Sequence, residues 1–474
     1  MSPAPPINAK RITVMGLGRF GGGVGVTRWL AESGAPDAEI LVTDLDPAEK
    51  LAGSLAQIDD LVRAGRVTLR LGGHNVSDFT TCDLVIANPA VPKPWENRFL
   101  RAAEAAGIPI TTEIRLLVER LPNCDRTIGV TGTAGKSTTS AMIAHVLSNA
   151  ERRLGGGRVF LGGNIGGSLL PQAAWMARED WIVLELSSAQ LHWLGAGIGY
   201  PVAAAWSPRV AVLTNIAPNH LDWHGSMEHY EASKRTIAGA HSSGRGLLIL
   251  GAGVDERCER EWRTRGNRDV VRIDEPLSSG TLRIPGVHNR INAAVACAAA
   301  GAAINVSPAE LGSALSDFPG LPHRLQLVGE FSRDGADGTI RVFNDSKCTT
   351  PEAAALAIGA FEEQGECGAS RIHLIAGGYD KKVDLSPMIP AAARCRSVYT
   401  IGATGPSIAG AVRSAGGRVI PCGELAAAVR AACEAAESGD AILLSPGCAS
   451  WDQFTNFEER GDSFISLIRK EFGA

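Results

Sequence analysis

The sequence predicts an α/β protein of three domains built on mostly parallel sheets, and three observations carry that reading. Short apolar runs alternate with Ala/Leu-rich helical segments along nearly the whole chain, the pattern of strands joined by crossover helices. Two breaks, Leu121-Pro122-Asn123 and Phe318-Pro319-Gly320-Leu321-Pro322, interrupt it with residues that stop helices. Polar clusters follow directly on apolar runs, where open parallel sheets bind their ligands. The 474 residues exceed one ordinary core, and the breaks divide them into 1–122, 123–321 and 322–474.

The runs expected as strands include Ile12 to Met15, Ile40 to Thr43, Leu84 to Ala87 and Thr127 to Val130. Further on lie Trp181 to Leu184, Ala211 to Asn215, Ile340 to Phe343, Ile372 to Ala376 and Ala441 to Leu444. Helical stretches between them include Glu96 to Ala106, Ser137 to Ser148, Asn289 to Ala303 and Glu424 to Ala436. Six polar groups begin where a run ends: Thr131 to Ser137, Glu185, Asn215, Asn344 to Lys347, Gly377 to Lys381 and Ser445 to Ser450.

Composition narrows the function. Apolar residues make up 45% and charged residues 20%, a globular balance. Lys plus Arg number 46 against 50 Asp plus Glu, for a net charge of −4, so no basic excess exists to bind nucleic acid or anionic membrane. The Ala-rich stretch Ile291 to Val306, interrupted by Asn292 and Asn305, is too short and too mildly apolar to span a bilayer. Met1 to Lys10 lacks the charged start and apolar core of a signal peptide, so a cytoplasmic protein is expected. Ten cysteines are scattered with no C-x-x-C pair, which argues for reduced, buried thiols over zinc or redox chemistry.

The sharpest motif is Thr131-Gly132-Thr133-Ala134-Gly135-Lys136-Ser137-Thr138, set between a strand and an apolar-periodic helix. Glycines let amides close around phosphate oxygens at a helix N-terminus. Lys136 would reach the β- and γ-phosphates, and Ser137 would hold Mg²⁺. The loop is a short G-x-x-G-K-S variant, since Val130 stands where the longer form has its first glycine. Gly16-x-Gly18-x-x-Gly21, with Asp44 after the next strand, has the form of a dinucleotide fingerprint; glycines needed only for tight packing would give the same pattern. Glu185 and His220 fall at or just beyond strand ends of the middle domain, where a carboxylate and an imidazole can orient a hard cation.

Ordered motifs across all three domains resemble the Mur ligases of peptidoglycan synthesis. They are Gly132 to Thr138, Gly163-Asn164-Ile165-Gly166, Leu184-Glu185-Leu186-Ser187-Ser188, Asn219-His220-Leu221-Asp222, Gly286-Val287-His288-Asn289-x-x-Asn292 and Gly320-Leu321-Pro322-His323-Arg324. Asn344-Asp345-Ser346-Lys347-x-Thr349 and the tail from Leu444 through Phe454, then Asn456-Phe457-Glu458-x-Arg460-Gly461, are similar to the D-glutamate-adding branch. The resemblance implies a P-loop-type ATPase domain between Rossmann-like N- and C-terminal domains. It implies an ATP-dependent ligase joining D-glutamate to UDP-N-acetylmuramoyl-L-alanine, with two Mg²⁺ ions.

By the same resemblance, Gly18, Arg19, Phe20, Asp44, Asn88, Pro89, Ala90 and Asn164 contact the UDP-linked acceptor. The nucleotide site comprises the loop Gly132, Thr133, Ala134, Gly135, Lys136, Ser137 and Thr138, with Asn289, Asn292, Arg324 and Asp345. Ser137, Glu185, His220 and Lys234 serve the metal ions, Lys234 as a carbamate because an ammonium repels a cation. Lys347, Thr349, Lys381, Ser450 and Phe457 hold D-glutamate.

The chemistry accounts for these parts. A carboxylate has no usable leaving group until ATP converts it to an acyl phosphate, and Lys136 with Mg²⁺ neutralises the transferring phosphoryl group. His220 or Asp345 takes the amine proton; the sequence leaves the two open. The intermediate hydrolyses readily, so closure of the third domain over the middle one is expected. A monomer suffices for three self-contained domains. Two alternatives stand beside this one: a folylpolyglutamate-synthase-like or other amino-acid-adding ligase, and a non-catalytic nucleotide-binding regulator.

Overall fold

The computed structural model describes residues 7–18, 21–197, 199, 204–239, 244, 246–265, 268–277, 282–332, 338–363 and 368–473. Among the described residues seventeen strands form three sheets. The first holds β1 (Arg11–Met15), β2 (Glu39–Thr43), β3 (Val67–Arg70), β4 (Leu84–Ala87) and β5 (Ile110–Thr111) in the order β3-β2-β1-β4-β5. The second holds β6 (Thr127–Thr131), β7 (Val159–Gly163), β8 (Trp181–Glu185), β9 (Val210–Asn215), β10 (Gly246–Gly253) and β11 (Arg268–Ile273), ordered β11-β10-β9-β6-β8-β7. Both are parallel throughout.

The third sheet holds β12 (Gln326–Phe331), β13 (Ile340–Asn344), β14 (Ile372–Gly377), β15 (Ser397–Ile401), β16 (Val419–Gly423) and β17 (Ala441–Leu444). Its order is β12-β13-β17-β14-β15-β16, parallel except for the edge strand β12. Every strand run read from the sequence pairs in one of these sheets. Central strands are apolar without alternation because both faces are covered: all of β6, β8, β14, β15 and β17 is buried. Strands with weaker sequence signals lie mostly at sheet edges, such as two-residue β5 and β16, which contains Pro421.

The chain divides into two compact units: residues 1–277 with 291–314, and residues 278–290 with 315–474. The first two sheets share the first unit, where one continuous core joins Ile12, Val42 and Leu117 to Leu186, Leu191 and Leu213. The helix Glu113–Val118 is buried along its whole length. The chain passes between the units at 277/278, 290/291 and 314/315.

The helix Lys136–Leu154 begins at Gly135 (φ 78°) and closes on Gly155 (φ 65°), with Arg152 and Arg153 in its last turn facing the negative end of its dipole. Among the described residues no single helix is long and apolar enough to cross a membrane. The Ala-rich Val287–Ile304 is a core helix whose Ala293, Ala296, Cys297 and Ala300 are fully buried. The nine described cysteines are free thiols, seven of them buried.

Candidate active site

The carboxyl ends of β6, β8 and β9 carry one cluster. β6 lies between the other two, pairing Val130 with Glu185 and Thr131 with Leu213. The loop that leaves β6 is clamped by the end of β9. The Asn215 side-chain oxygen accepts from the Thr133 and Ala134 amides at 3.1 and 2.9 Å, and Thr214 Oγ1 donates to Ala134 O at 2.6 Å. A Cβ at Gly132 (φ 151°) would run into Thr214 Oγ1, and one at Gly135 would meet the Asn292 side chain at 2.8 Å. Only glycines allow this close approach. The Lys136 ammonium folds back to donate to Gly132 O and Thr133 O, both at 3.0 Å.

Lys234 enters from the helix Met227–Arg235 and is 1% exposed. Its ammonium donates to Gly132 O at 2.8 Å and lies 4.6 Å from the centre of the Tyr230 ring. Burial, and then the neighbouring Lys136 charge, pull its pKa from 10.5 to about 7. His220 sits in the left-handed region (φ 52°) at the start of the short helix Leu221–His224. Burial lowers its pKa too, with Lys136 and Lys234 adding to the shift and Asp222 opposing it. Glu185, at the end of β8, is 2% exposed. Its Oε1 accepts from Asn164 Nδ2 at 2.8 Å, while its buried Oε2 has no hydrogen-bond partner among the described residues.

A buried carboxylate oxygen without a donor needs a cation or a proton. Lys234, whose ammonium is costly to keep, donates to Gly132 O, and His220 feels the Lys136 and Lys234 charges. Among the described residues no three His, Cys, Asp or Glu side chains gather into a metal site of their own. The Glu185 carboxylate thus fits a hard cation such as Mg²⁺.

In the first sheet, the loops after β1 and β4 meet at the strand-order switch. Asn88 Nδ2 donates to Gly16 O at 3.1 Å, and Asn88 Oδ1 accepts from Ala90 N at 2.9 Å. Both Asp44 oxygens accept loop amides, from Gly18 at 3.0 Å and Asp46 at 2.9 Å. Asp44 and Asn88 therefore brace the loops that shape this crevice. Arg19 and Phe20 lie outside the described residues.

The second unit gathers a separate cluster at the carboxyl ends of β13, β14 and β17. Asp345 is 6% exposed; its oxygens accept from Leu325 N at 3.1 Å and Ser445 Oγ at 2.9 Å. Burial nevertheless raises its pKa to about 7. Lys347 Nζ lies 5.3 Å from the Phe457 ring and Lys381 Nζ 4.8 Å from Trp451, cation–π placements that hold both ammoniums near their strand ends. Ser450 is buried next to Ala449, whose carbonyl accepts from Tyr379 N at 2.8 Å. Thr349 lies two residues beyond Lys347, Arg324 is a neighbouring charge that favours ionised Asp345, and Asn289 is buried with its amide donating to Pro285 O at 2.6 Å.

Two residues without an assigned role from sequence prove central. Arg460, 1% exposed, donates to Ser346 Oγ, Ser346 O, Cys448 O and Ala449 O at 2.8–3.2 Å. It ties together the segments that carry Lys347 and Ser450. Tyr230 places its hydroxyl 2.9 Å from Thr133 Oγ1 and its ring against Lys234. Its position four residues before Lys234, on one helix face, is the signal that points to it.

Comparison with known proteins agrees with this architecture. Residues 130–276 match the Mur ligase middle domain, and residues 323–448 match the Mur ligase glutamate ligase domain. The chain belongs to the Mur ligase family. Its relatives include UDP-N-acetylmuramoylalanine–D-glutamate ligases from Anaeromyxobacter dehalogenans, 34% identical over 99% of each chain, and from Pelotomaculum thermopropionicum, 35% identical over 97% of each. Among solved structures, UDP-N-acetylmuramate-alanine ligase from Thermotoga maritima shares the fold with a TM-score of 0.53 at 18% identity, over 98% of this chain and 100% of that one. MurF from Acinetobacter baumannii does so with a TM-score of 0.52 at 14% identity, over 97% and 93%.

Proposed function

We propose that this chain is a cytoplasmic, monomeric ATP-dependent ligase that adds D-glutamate to UDP-N-acetylmuramoyl-L-alanine, through an acyl phosphate, in peptidoglycan precursor synthesis. The observation that carries the chemistry is the junction of the Gly132–Thr138 loop with Lys136, Lys234, His220 and the unpartnered Glu185 Oε2. When bound, two Mg²⁺ ions supply charge neutralisation at the phosphoryl group. Ser137, Glu185, His220 and carbamylated Lys234 would hold them. The loop amides and Lys136 orient the nucleotide phosphates, with Asn289, Asn292, Arg324 and Asp345 completing its site. Gly18, Arg19, Phe20, Asp44, the Asn88–Pro89–Ala90 segment and Asn164 orient the acceptor.

Lys347, Thr349, Lys381, Ser450 and Phe457 orient D-glutamate by its carboxylates. Asp345, with its pKa raised to about 7 by burial, has the proton affinity to take the amine proton near neutrality; His220 is lowered in pKa by burial and two cations and is the weaker base. The three sheets are read as three functional domains, 1–122, 123–321 and 322–474, for acceptor, nucleotide and amino acid.

The test is a phosphate-release assay with UDP-N-acetylmuramoyl-L-alanine and a panel of amino acids, run beside a folate with L-glutamate. Turnover confined to D-glutamate is the expected result. Turnover with the folate pair, or none with any pair despite ATP binding, overturns the reading.

A further inference from the structure

The short helix Leu221–His224 directly follows His220, and its last two side chains reach two other parts of the site. Trp223 Nε1 donates to Pro89 O at 3.2 Å, and Trp223 O accepts from Lys93 N at 3.2 Å. These two bonds run in opposite directions and fix the register of the segment after β4. Trp95, from the same segment, packs edge-on against Trp223 with ring centres 5.9 Å apart. On the other side, His224 Nε2 lies 2.9 Å from Ser188 Oγ, just beyond Glu185, and His224 Nδ1 lies 2.9 Å from His229 Nδ1 on the helix that carries Lys234. The turn is closed by Trp223 N and His224 N, which donate to His220 O at 3.1 and 2.9 Å.

This arrangement leaves little freedom. His224 is 2% exposed and Trp223 7% exposed, and Gly225 (φ 75°) ends the helix tightly. Segment 88–93 and the turn that starts at His220 are joined through the indole N–H and one backbone bond. The indole N–H is the side-chain bond that ties this turn to the segment after β4; the bond to Lys93 N runs through the backbone.

We infer that Trp223 is a positioning residue that couples acceptor binding at segment 88–93 to metal–nucleotide binding at the Glu185, His220 and Lys234 cluster. The inference rests on the proposed acceptor role of that segment. Because such coupling is reciprocal, Mg²⁺ with a non-hydrolysable ATP analogue should tighten acceptor binding. Loss of the indole donor should weaken both the binding and the linkage.

The experiment is calorimetric titration of UDP-N-acetylmuramoyl-L-alanine into the full chain, with and without Mg²⁺ and the imido analogue of ATP. The parent is expected to gain at least about threefold in acceptor affinity from the Mg–nucleotide, the low end of ordinary site–site coupling. In Trp223→Phe, acceptor affinity without nucleotide should fall by about three- to tenfold, the worth of one hydrogen bond, and the gain should shrink toward one. Should that variant fail to fold, site-specific benzothienylalanine, which keeps ring volume and lacks the N–H, gives the same comparison. A parent that binds acceptor with no gain, or a variant that keeps the full gain, overturns the coupling. A parent that does not bind the acceptor overturns the functional reading and the coupling with it.

Discussion

At Lys234, a basic side chain is kept where its charge is unwelcome. The amine is buried against Tyr230 and beside Lys136, and its pKa falls to about 7. Below pH 7 the folded and unfolded chains both hold this proton, and the folded state bears the full cost of burying the charge. Between about pH 7 and 10.5 the folded amine is neutral while the unfolded one stays protonated. The unfolded state then binds more protons, so stability rises with pH across that window. Urea unfolding of Lys234→Met should lack this rise, and a rise equal to the parent's would show that the amine is not held neutral. A neutral amine is also the form that takes up carbon dioxide. Lys234→Ala should therefore lose at least about 100-fold in turnover, of the size seen when a charge-stabilising group is removed, and regain part of it with added acetate or formate. Turnover equal to the parent's without them would remove the carbamate. The lysine itself entered through the family resemblance and through no motif of its own. The depressed pKa was not legible, because it arises from burial and from the Lys136 charge, which only folding brings beside it.

Among the elements, the helix Phe457–Phe472 does more than cover the third sheet. Asn456 caps it through Glu459 N, and Arg460 projects from its first turn into a buried nest of carbonyls. Burial lowers the guanidinium pKa to about 10, still well above neutrality, so the charge persists. Arg460→Met would leave Ser346 O and Cys448 O without their donor and Ala449 O with the Tyr379 amide alone, at a cost of about 3 kcal/mol for the unsatisfied buried acceptors. Arg460→Lys keeps the charge but cannot span the same fork. Both should lower the melting temperature and raise KM for D-glutamate at least about tenfold, through displacement of Lys347 and Ser450. KM for ATP changing as much as that for D-glutamate would contradict a local role. Strand ends were readable from sequence because a continuous apolar run stops where a polar cluster begins, as at Glu185 and Asn344. Arg460 was harder to read. It stands in the Asn456-Phe457-Glu458-x-Arg460-Gly461 motif with no role attached, arginines are normally solvated, and only the packed helix reveals what it holds.

Over the whole molecule, the proposed chemistry is shared between two compact units. The first carries Lys136, Glu185, His220 and Lys234; the second carries Asp345, Lys347, Lys381, Ser450 and Phe457. The break at Leu121-Pro122 was visible in the sequence, yet the core runs on past it, because the helix before it is buried on every side and Leu121 joins the same cluster. A linear sequence shows where a helix must stop but not whether the apolar residues on either side share one interior. The division of labour predicts that the two half-reactions can be separated. In the proposed roles, phosphoryl transfer to the acceptor uses Lys136, whereas amide formation also needs the amino acid held by Lys347 and Lys381. Lys136→Ala should abolish both acceptor-dependent isotope scrambling in ¹⁸O-labelled ATP and ligation, with acceptor binding still measurable by calorimetry. Lys381→Ala and Lys347→Ala should retain the scrambling while KM for D-glutamate rises about 10- to 100-fold, the cost of losing one charge-assisted contact to a carboxylate. If either second-unit variant lost scrambling and ligation together, its lysine would belong to the phosphoryl-transfer step, and the assignment of amino-acid recognition to that unit would fail.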